Sequence, residues 1–331
     1  MIITRTPVRV SFFGGGTDYP AWFREHGGAV LSTTINKYCY ITLRKLPPFF
    51  DHNYRLAYSK LEFVKEVAEI EHPCVRACLQ YLGVEGGIGL HHDADLPART
   101  GLGSSSAFTV GLLKAIHALQ GRMVSAATLA TQAIDIEQNV LRENVGCQDQ
   151  AAAAYGGFNL ITIGRQGQLR VSPMTLKPER INLLNDHLML LYTGVSRIAS
   201  DIAASQIRHI QTKSRDNELS NMRLMVDRAV DILGSDDDIT AFGEMLHESW
   251  CIKRRMADQV SPMFIDQLYD EARMHGAIGG KLLGAGGGGF FLIFARPEDH
   301  AAIREALARF LFVPFRFEPS GSEIIHFDHA V

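Results

Sequence analysis

Three segments combine residue types that can hold an anion: FFGGGTDY at 12–19, RTGLGSSSA at 99–107 and KLLGAGGGGFFLI at 281–293. Glycine adopts positive φ freely and lets backbone N–H groups approach a ligand closely. The middle segment carries the most chemistry, because its loop runs straight into AFTVGLLKAIHALQG, a stretch with helical spacing that closes at Gly121. The free N–H groups and positive dipole end of such a helix face the loop and make an anion site. Glycines let the backbone curl round a phosphate, and serine hydroxyls add donors and an oxygen for magnesium. Helix capping by Ser104 or Ser106 accounts for one serine, but not for three serines beside two glycines.

Other chemistries with similar signatures fail on order or completeness. Gly284, Gly286 and Gly289 spell GxGxxG. The dinucleotide fingerprint needs a strand before it and a helix after it, whereas here the helix IDQLYDEARMHG precedes and the strand FFLIF follows. No Walker A spacing occurs. GSSSA approximates a hydrolase nucleophile elbow centred on Ser105 but lacks the closing glycine. His91 and His92 are neighbours in a strand-like run, so they point to opposite faces and cannot chelate one metal.

The elements that must position these segments alternate between strand and helix. TPVRVSFF reads as a strand ending at Gly14-Gly15-Gly16, and AVLSTTINKYCYITLRKL as one or two more. KLEFVKEVAEI and HPCVRACLQYLG are predicted helices, GIGLHHDADLPA a strand, and SAATLATQAIDIEQNVL a helix capped by Ser125. FNLITIG and QLRVSPMTL form a hairpin around RQGQ. Pro178 then marks the expected lobe boundary, giving domains at 1–178 and 179–331. The second half reads as a strand HLMLLYTG, helices near 200–233, 239–260 and 261–276, a strand FFLIFA, a helix PEDHAAIREALARFL and a strand PFRFEP.

A chain of 331 residues exceeds the roughly 250 at which a single core tends to divide, so two lobes and a cleft are expected. Hydrophobic content of 46% and charged content of 21% describe a globular protein, and a formal net charge of -3 gives no global field for a nucleic acid. Five cysteines without ligand spacing read as reduced thiols of a cytoplasmic protein. No export signal and no apolar run of about 20 residues points to secretion or a membrane.

Taken together, PVRVSFFGGGTDY, PARTGLGSSSA and KLLGAGGGGFF, spread over nearly the whole chain, resemble in kind and order the three motifs of the GHMP kinase superfamily of galactokinases, homoserine kinases, mevalonate kinases and phosphomevalonate kinases. FFGGGTDYPAWFREHGGAVLSTTINKYCYITL and ENVGCQDQAAAAYGGFN look most like the heptose phosphate kinases within it. The resemblance implies an α+β, two-lobed fold, with an N-terminal lobe like ribosomal protein S5 domain 2 and a ferredoxin-like C-terminal lobe. It implies ATP-dependent phosphorylation of the anomeric hydroxyl of D-glycero-D-manno-heptose 7-phosphate, with Mg2+, feeding GDP-activated heptose for surface polysaccharide. The alternatives are another sugar 1-kinase, acting on fucose, galactose or mannose derivatives, or a non-catalytic regulator on the same fold. The implied partners are ATP and a small sugar phosphate, not a nucleic acid or membrane; a homo-oligomer is admitted.

Residue by residue, the resemblance assigns Arg99, Gly101, Leu102, Gly103, Ser104, Ser105, Ser106 and Ala107 to ATP, and Gly284, Gly286, Gly287 and Gly288 to the third motif. Ser105 is the first choice for magnesium, with Ser104 or Ser106 as alternatives, and Glu137 completes the metal site. Asp149 takes or orients the acceptor proton beside Arg9. Gly14, Gly15, Gly16, Thr17, Asp18 and Tyr19 form the sugar site, with Asp18 accepting from hydroxyls. Galactokinases carry Glu-His where this chain has Gly15-Gly16, which enlarges the site for a longer sugar. Arg197 and Lys253 are preferred over Arg24, Lys37 and Arg254 as ligands of the sugar's phosphate.

Overall fold

The computed structural model describes residues 1–194, 199–257 and 260–328. The chain opens with β1 (Ile2–Phe13), α1 (Pro20–His26), β2 (Gly28–Lys45), the hairpin β3 (Tyr54–Ala57) and β4 (Leu61–Val64), α2 (Pro73–Tyr81) and β5 (Ile88–Ala94). Next come α3 (Ser104–Leu119), α4 (Ala126–Asp135), α5 (Gln148–Tyr155) and the hairpin β6 (Phe158–Ile163) with β7 (Leu169–Pro173). The second half contributes α6 (Pro178–Asp186), β8 (Leu188–Tyr192), α7 (Ala199–Gln211), α8 (Asp216–Gly234), α9 (Thr240–Arg254) and α10 (Met263–Met274). It ends with β9 (Ala277–Leu282), β10 (Phe290–Ala295), α11 (His300–Ala306), β11 (Leu311–Val313) and β12 (Glu323–Phe327).

Local sequence explains most of these elements. Pro73 opens α2 at a position where its missing N–H costs nothing. The hydroxyl of Ser125 caps α4 by accepting from the Thr128 N–H at 3.1 Å. KLEFVKEVAEI is a strand and a 3-10 turn (Val67–Glu69), not the expected helix. Its pattern is inverted: Leu61 and Phe63 face out, while the Glu62 carboxylate is buried and accepts from Tyr58 Oη and the Glu71 N–H. The expected strand PFRFEP is also displaced, because pairing falls at Leu311–Val313 and Phe317 makes only an isolated bridge to Ile35.

The first sheet runs β12-β1-β2-β5-β3-β4, with β6 and β7 branching from β2. Strand β2 is 18 residues long and pairs with β1 on one edge and, on the other, with β6 along Gly28–Thr33 and β5 along Cys39–Lys45. The second sheet runs β11-β8-β10-β9, the 4-1-3-2 order of a ferredoxin-like unit read in sequence order. Pro178 starts α6, which leads into this sheet. The chain then returns, since β12 pairs antiparallel with β1, and so the first sheet takes strands from both ends of the sequence. The lobes share one core, in which Phe242 of α9 meets Phe12 and Phe13 of β1 edge-on with ring centroids 5.4 and 5.1 Å apart. No helix among the described residues is long and apolar enough to cross a membrane.

Candidate active site

A cleft of about 550 Å³ lies between the lobes, walled by β1, the turn after it, the loop before α3, the segment entering α5, and Gly284. The loop before α3 is built on left-handed glycines, Gly101 at φ 85° and Gly103 at φ 75°, with Gly103 at the helix N-cap. A side chain at Gly101 would overlap the Leu283 carbonyl, so the second and third glycine segments pack backbone against backbone. Gly101, Gly103, Ser104, Ser105 and Ser106 face the cleft, as does Arg99. Leu102 and Ala107 do not: both are buried, the Leu102 carbonyl accepts from the Arg9 N–H, and the Ala107 N–H is spent on the Gly103 carbonyl. The cradle is therefore narrower than the sequence motif.

Arg9, only 4% exposed, forms a two-pronged pair with Asp149: Nε donates to Oδ1 and Nη2 to Oδ2, each at 2.8 Å. Its Nη1 donates to the Gly101 carbonyl at 2.6 Å, tying the pair to the glycine loop. Such planar bidentate contacts fix both side chains. Asp149 stands in the first turn of α5, and a Cβ at Gly103 would lie 3.3 Å from its carboxylate. Any group held at the start of α3 is thus beside Asp149.

Asp18 is buried and accepts from the Gly16 N–H at 3.0 Å and the Gln148 N–H at 3.4 Å. Burial, then the nearby Asp149 charge, pushes its carboxyl above the ordinary value. Gly15, Gly16 and Tyr19 line the cleft with it. Gly14 and Thr17 serve the turn instead: the Thr17 hydroxyl lies 2.8 Å from the Gly14 carbonyl, and a side chain at Gly14 would overlap the Ala29 carbonyl. At Gly15, by contrast, a Cβ would meet nothing nearer than 3.9 Å. Gly15→Glu is expected to keep the fold but raise the acceptor KM at least about tenfold by filling this space; an unchanged KM in steady-state kinetics would show that no acceptor enters it.

Glu137 sits on a π-helical turn (Ile136–Val140) that continues α4 and aims its carboxylate inward, at 1% exposure. Oε2 accepts from Ser106 Oγ at 2.8 Å and Gln150 Nε2 at 2.5 Å, while Oε1 is buried without a partner. Burial outweighs these hydrogen bonds and raises the carboxyl to about 7. The serine against Glu137 is Ser106; Ser105, the first choice from sequence, is exposed one residue earlier on the helix. No cluster of three or more His, Cys, Asp or Glu that could hold a metal occurs among the described residues. Glu137 does not itself line the cleft, but the Ser106 hydroxyl against it does, and a carboxylate beside a hydroxyl fits Mg2+, which takes one or two protein oxygens and completes its shell with water and phosphate.

Lys253 faces the cleft, but its Nζ donates to the Leu282 and Gly284 carbonyls at 2.7 and 2.6 Å, bracing the third glycine segment. Within that segment Lys281, Gly284 and Ala285 reach the cleft; Gly286, Gly287 and Gly288 form the turn, with the Gly287 N–H donating to the Val260 carbonyl. Arg197 lies outside the described residues. Sequence reasoning missed Ser11, Gln148 and Lys281, all of which line the cleft. Ser11 was findable, because it follows Arg9 by two residues in a strand and so shares its face.

Lys281 is 3% exposed and donates to the Phe12 carbonyl at 2.7 Å. Burial, then the Arg9 charge, lowers its ammonium to about 7 from 10.5. In that window the unfolded chain binds more protons than the folded one, so stability of the ligand-free protein is expected to rise as pH goes from about 7 toward 10.5. Urea denaturation at pH 7 and 9 should show the rise, and Lys281→Met should flatten it.

The family profile described as the GHMP kinases N terminal domain matches residues 62–157, and that described as the GHMP kinases C terminal matches residues 232–312. The chain belongs to the GHMP kinase family. This kinase is 29% identical to the D-glycero-alpha-D-manno-heptose 7-phosphate kinase of Campylobacter jejuni, over 93% of each chain. The solved D-glycero-D-manno-heptose 1-phosphate kinase from Bacteroides thetaiotaomicron shares its fold, with a TM-score of 0.76 at 23% identity over 99% of this chain and 100% of that one. A putative sugar kinase from Campylobacter jejuni gives a TM-score of 0.72 at 25% identity over 98% and 97%. As a member of the family, the protein is an ATP-dependent phosphotransferase.

Proposed function

We propose that this kinase is a sugar kinase that transfers the γ-phosphoryl group of ATP to the anomeric hydroxyl of D-glycero-D-manno-heptose 7-phosphate. The product is the 1,7-bisphosphate, a precursor of GDP-activated heptose for surface polysaccharide, made in the cytoplasm. The reading rests on the Arg9–Asp149 pair beside the start of α3 and on the likeness to the Campylobacter jejuni enzyme along the whole chain.

Phosphoryl transfer needs positioning and charge stabilisation more than covalent help. Backbone N–H groups at the start of α3 take the phosphates of ATP, which gain from the helix dipole. Asp149 accepts the proton of the anomeric hydroxyl as that oxygen bonds to the γ-phosphorus. The bond from the γ-phosphorus to the bridging oxygen breaks, and ADP leaves with the electron pair. Arg9 holds the Asp149 carboxylate in position for that task through its two hydrogen bonds. Asp18 orients sugar hydroxyls. Ser106 and Glu137 would hold Mg2+, whose contribution when bound is to offset charge on the nucleotide's phosphates.

An ADP-release assay with heptose 7-phosphate, sedoheptulose 7-phosphate, mannose, fucose and galactose tests the substrate. Heptose 7-phosphate is expected to give a kcat/KM at least about a hundredfold above the others, the discrimination that a buried polar contact supports. Preference for fucose, galactose or mannose would replace the reading with that of another sugar 1-kinase.

A further inference from the structure

Two lysines, Lys253 and Lys281, are buried in the wall of the cleft, and the donors their ammonium groups use go to carbonyls rather than to a carboxylate. A lysine is seldom buried without an ionic partner, because desolvation penalises the charged form. Lys253 spends two of its three donors on the third glycine segment, which packs against the nucleotide loop at Gly101. Lys281 spends one, on Phe12, and so keeps two. Beside Phe12 on β1 stands Ser11, 6% exposed, whose hydroxyl lines the cleft and is buried without a hydrogen-bond partner. Gln148 presents a third polar group: its Nε2 and Ser11 Oγ would each lie 3.9 Å from a side chain placed at Gly15.

We infer that Lys281, Ser11 and Gln148 form an anion subsite, over Gly15, for the phosphate that the acceptor already carries. The inference rests on the reading of the acceptor as a sugar phosphate and assigns the residues that select it. Strand geometry supports the spacing. Ser11 shares the Arg9 face of β1, about 6.6 Å further along, and Phe12 lies about 10 Å from Arg9. The reacting hydroxyl must lie at Asp149, on the Arg9 side, so the remote end of an extended sugar phosphate falls near Ser11 and Lys281. Of the carboxylates that line the cleft, Asp149 is paired with Arg9, Asp18 accepts two backbone N–H bonds, and Glu143 lies within the field of the Arg99 charge. A bound phosphate would supply the partner that the lysine lacks, and the depressed ammonium would then take up a proton.

The test compares wild type, Lys281→Met and Ser11→Ala on heptose 7-phosphate and on the same heptose without its phosphate. Both variants are expected to lower the ratio of kcat/KM for the phosphorylated over the free sugar, by about ten- to a hundredfold for Lys281→Met. The KM for ATP should not follow. Ser11→Ala leaves the Phe12 contact intact and decides the matter if Lys281→Met does not fold. An unchanged ratio, or an ATP KM that rises in step with the loss, overturns the subsite and gives the lysine to the nucleotide. Inorganic phosphate separates this failure from failure of the substrate reading. Suppose wild type shows no preference for the phosphorylated sugar. Inhibition by phosphate that is competitive with the acceptor, and weakened in both variants, would still support the subsite, while absence of such inhibition would remove both.

Discussion

Asp149→Asn is expected to lower kcat about a thousandfold, with the KM for ATP changed by no more than a factor of a few. The carboxylate is held on both oxygens by Arg9 and lies against Gly103, where the nucleotide loop becomes α3. An amide in its place cannot take the acceptor's proton, and only its oxygen can accept from the guanidinium, so the Arg9 fork loses one of its two acceptors as well. Arg9→Gln is expected to fall nearly as far. Because the two act as a unit, the double variant should be little worse than either single one. Single-turnover kinetics with saturating ATP read the chemical step directly, and retained turnover in Asp149→Asn would remove it as the base.

Gly101→Ala should abolish measurable nucleotide binding at ordinary concentrations. Its φ of 85° is strained for any residue with a Cβ, and the added carbon would overlap the Leu283 carbonyl. The loop must then move away from the third glycine segment, taking with it the carbonyl that receives Arg9 Nη1. Strain and overlap together cost about 2–5 kcal/mol of stability. Loss of two or more hydrogen bonds to charged phosphate raises the Kd for ATP at least about a hundredfold. Calorimetric titration with a non-hydrolysable analogue measures the effect; affinity within a few-fold of wild type would mean that the loop does not grip phosphate.

The conformation of the glycine loop before α3 was legible in sequence because its information is local: glycines for positive φ, then a helix. Strand β1, helix α3 and the Ser125 cap of α4 follow from the same short-range rules. What sequence could not supply was which face of a motif meets the cleft. Ser104, Ser105 and Ser106 are equivalent in composition, and only the π turn that swings Glu137 inward selects Ser106. Thr17 and Asp18 are neighbours, yet one hydroxyl serves the turn while the other side chain faces the cleft. Lys281 carries no local signal, since its role arises where β9 of the second sheet meets β1 of the first. The strand around Glu62 was misread as helix for a related reason: its buried residue is the charged one, and its apolar neighbours face outward.

The account stands on the placement of the nucleotide's phosphates at the start of α3. A crystal structure with a non-hydrolysable ATP analogue and Mg2+ tests it most directly. The expected result puts the triphosphate over Gly101–Ser106 with its terminal phosphorus facing Asp149. A triphosphate bound elsewhere, with that loop contacting no phosphate, would contradict it.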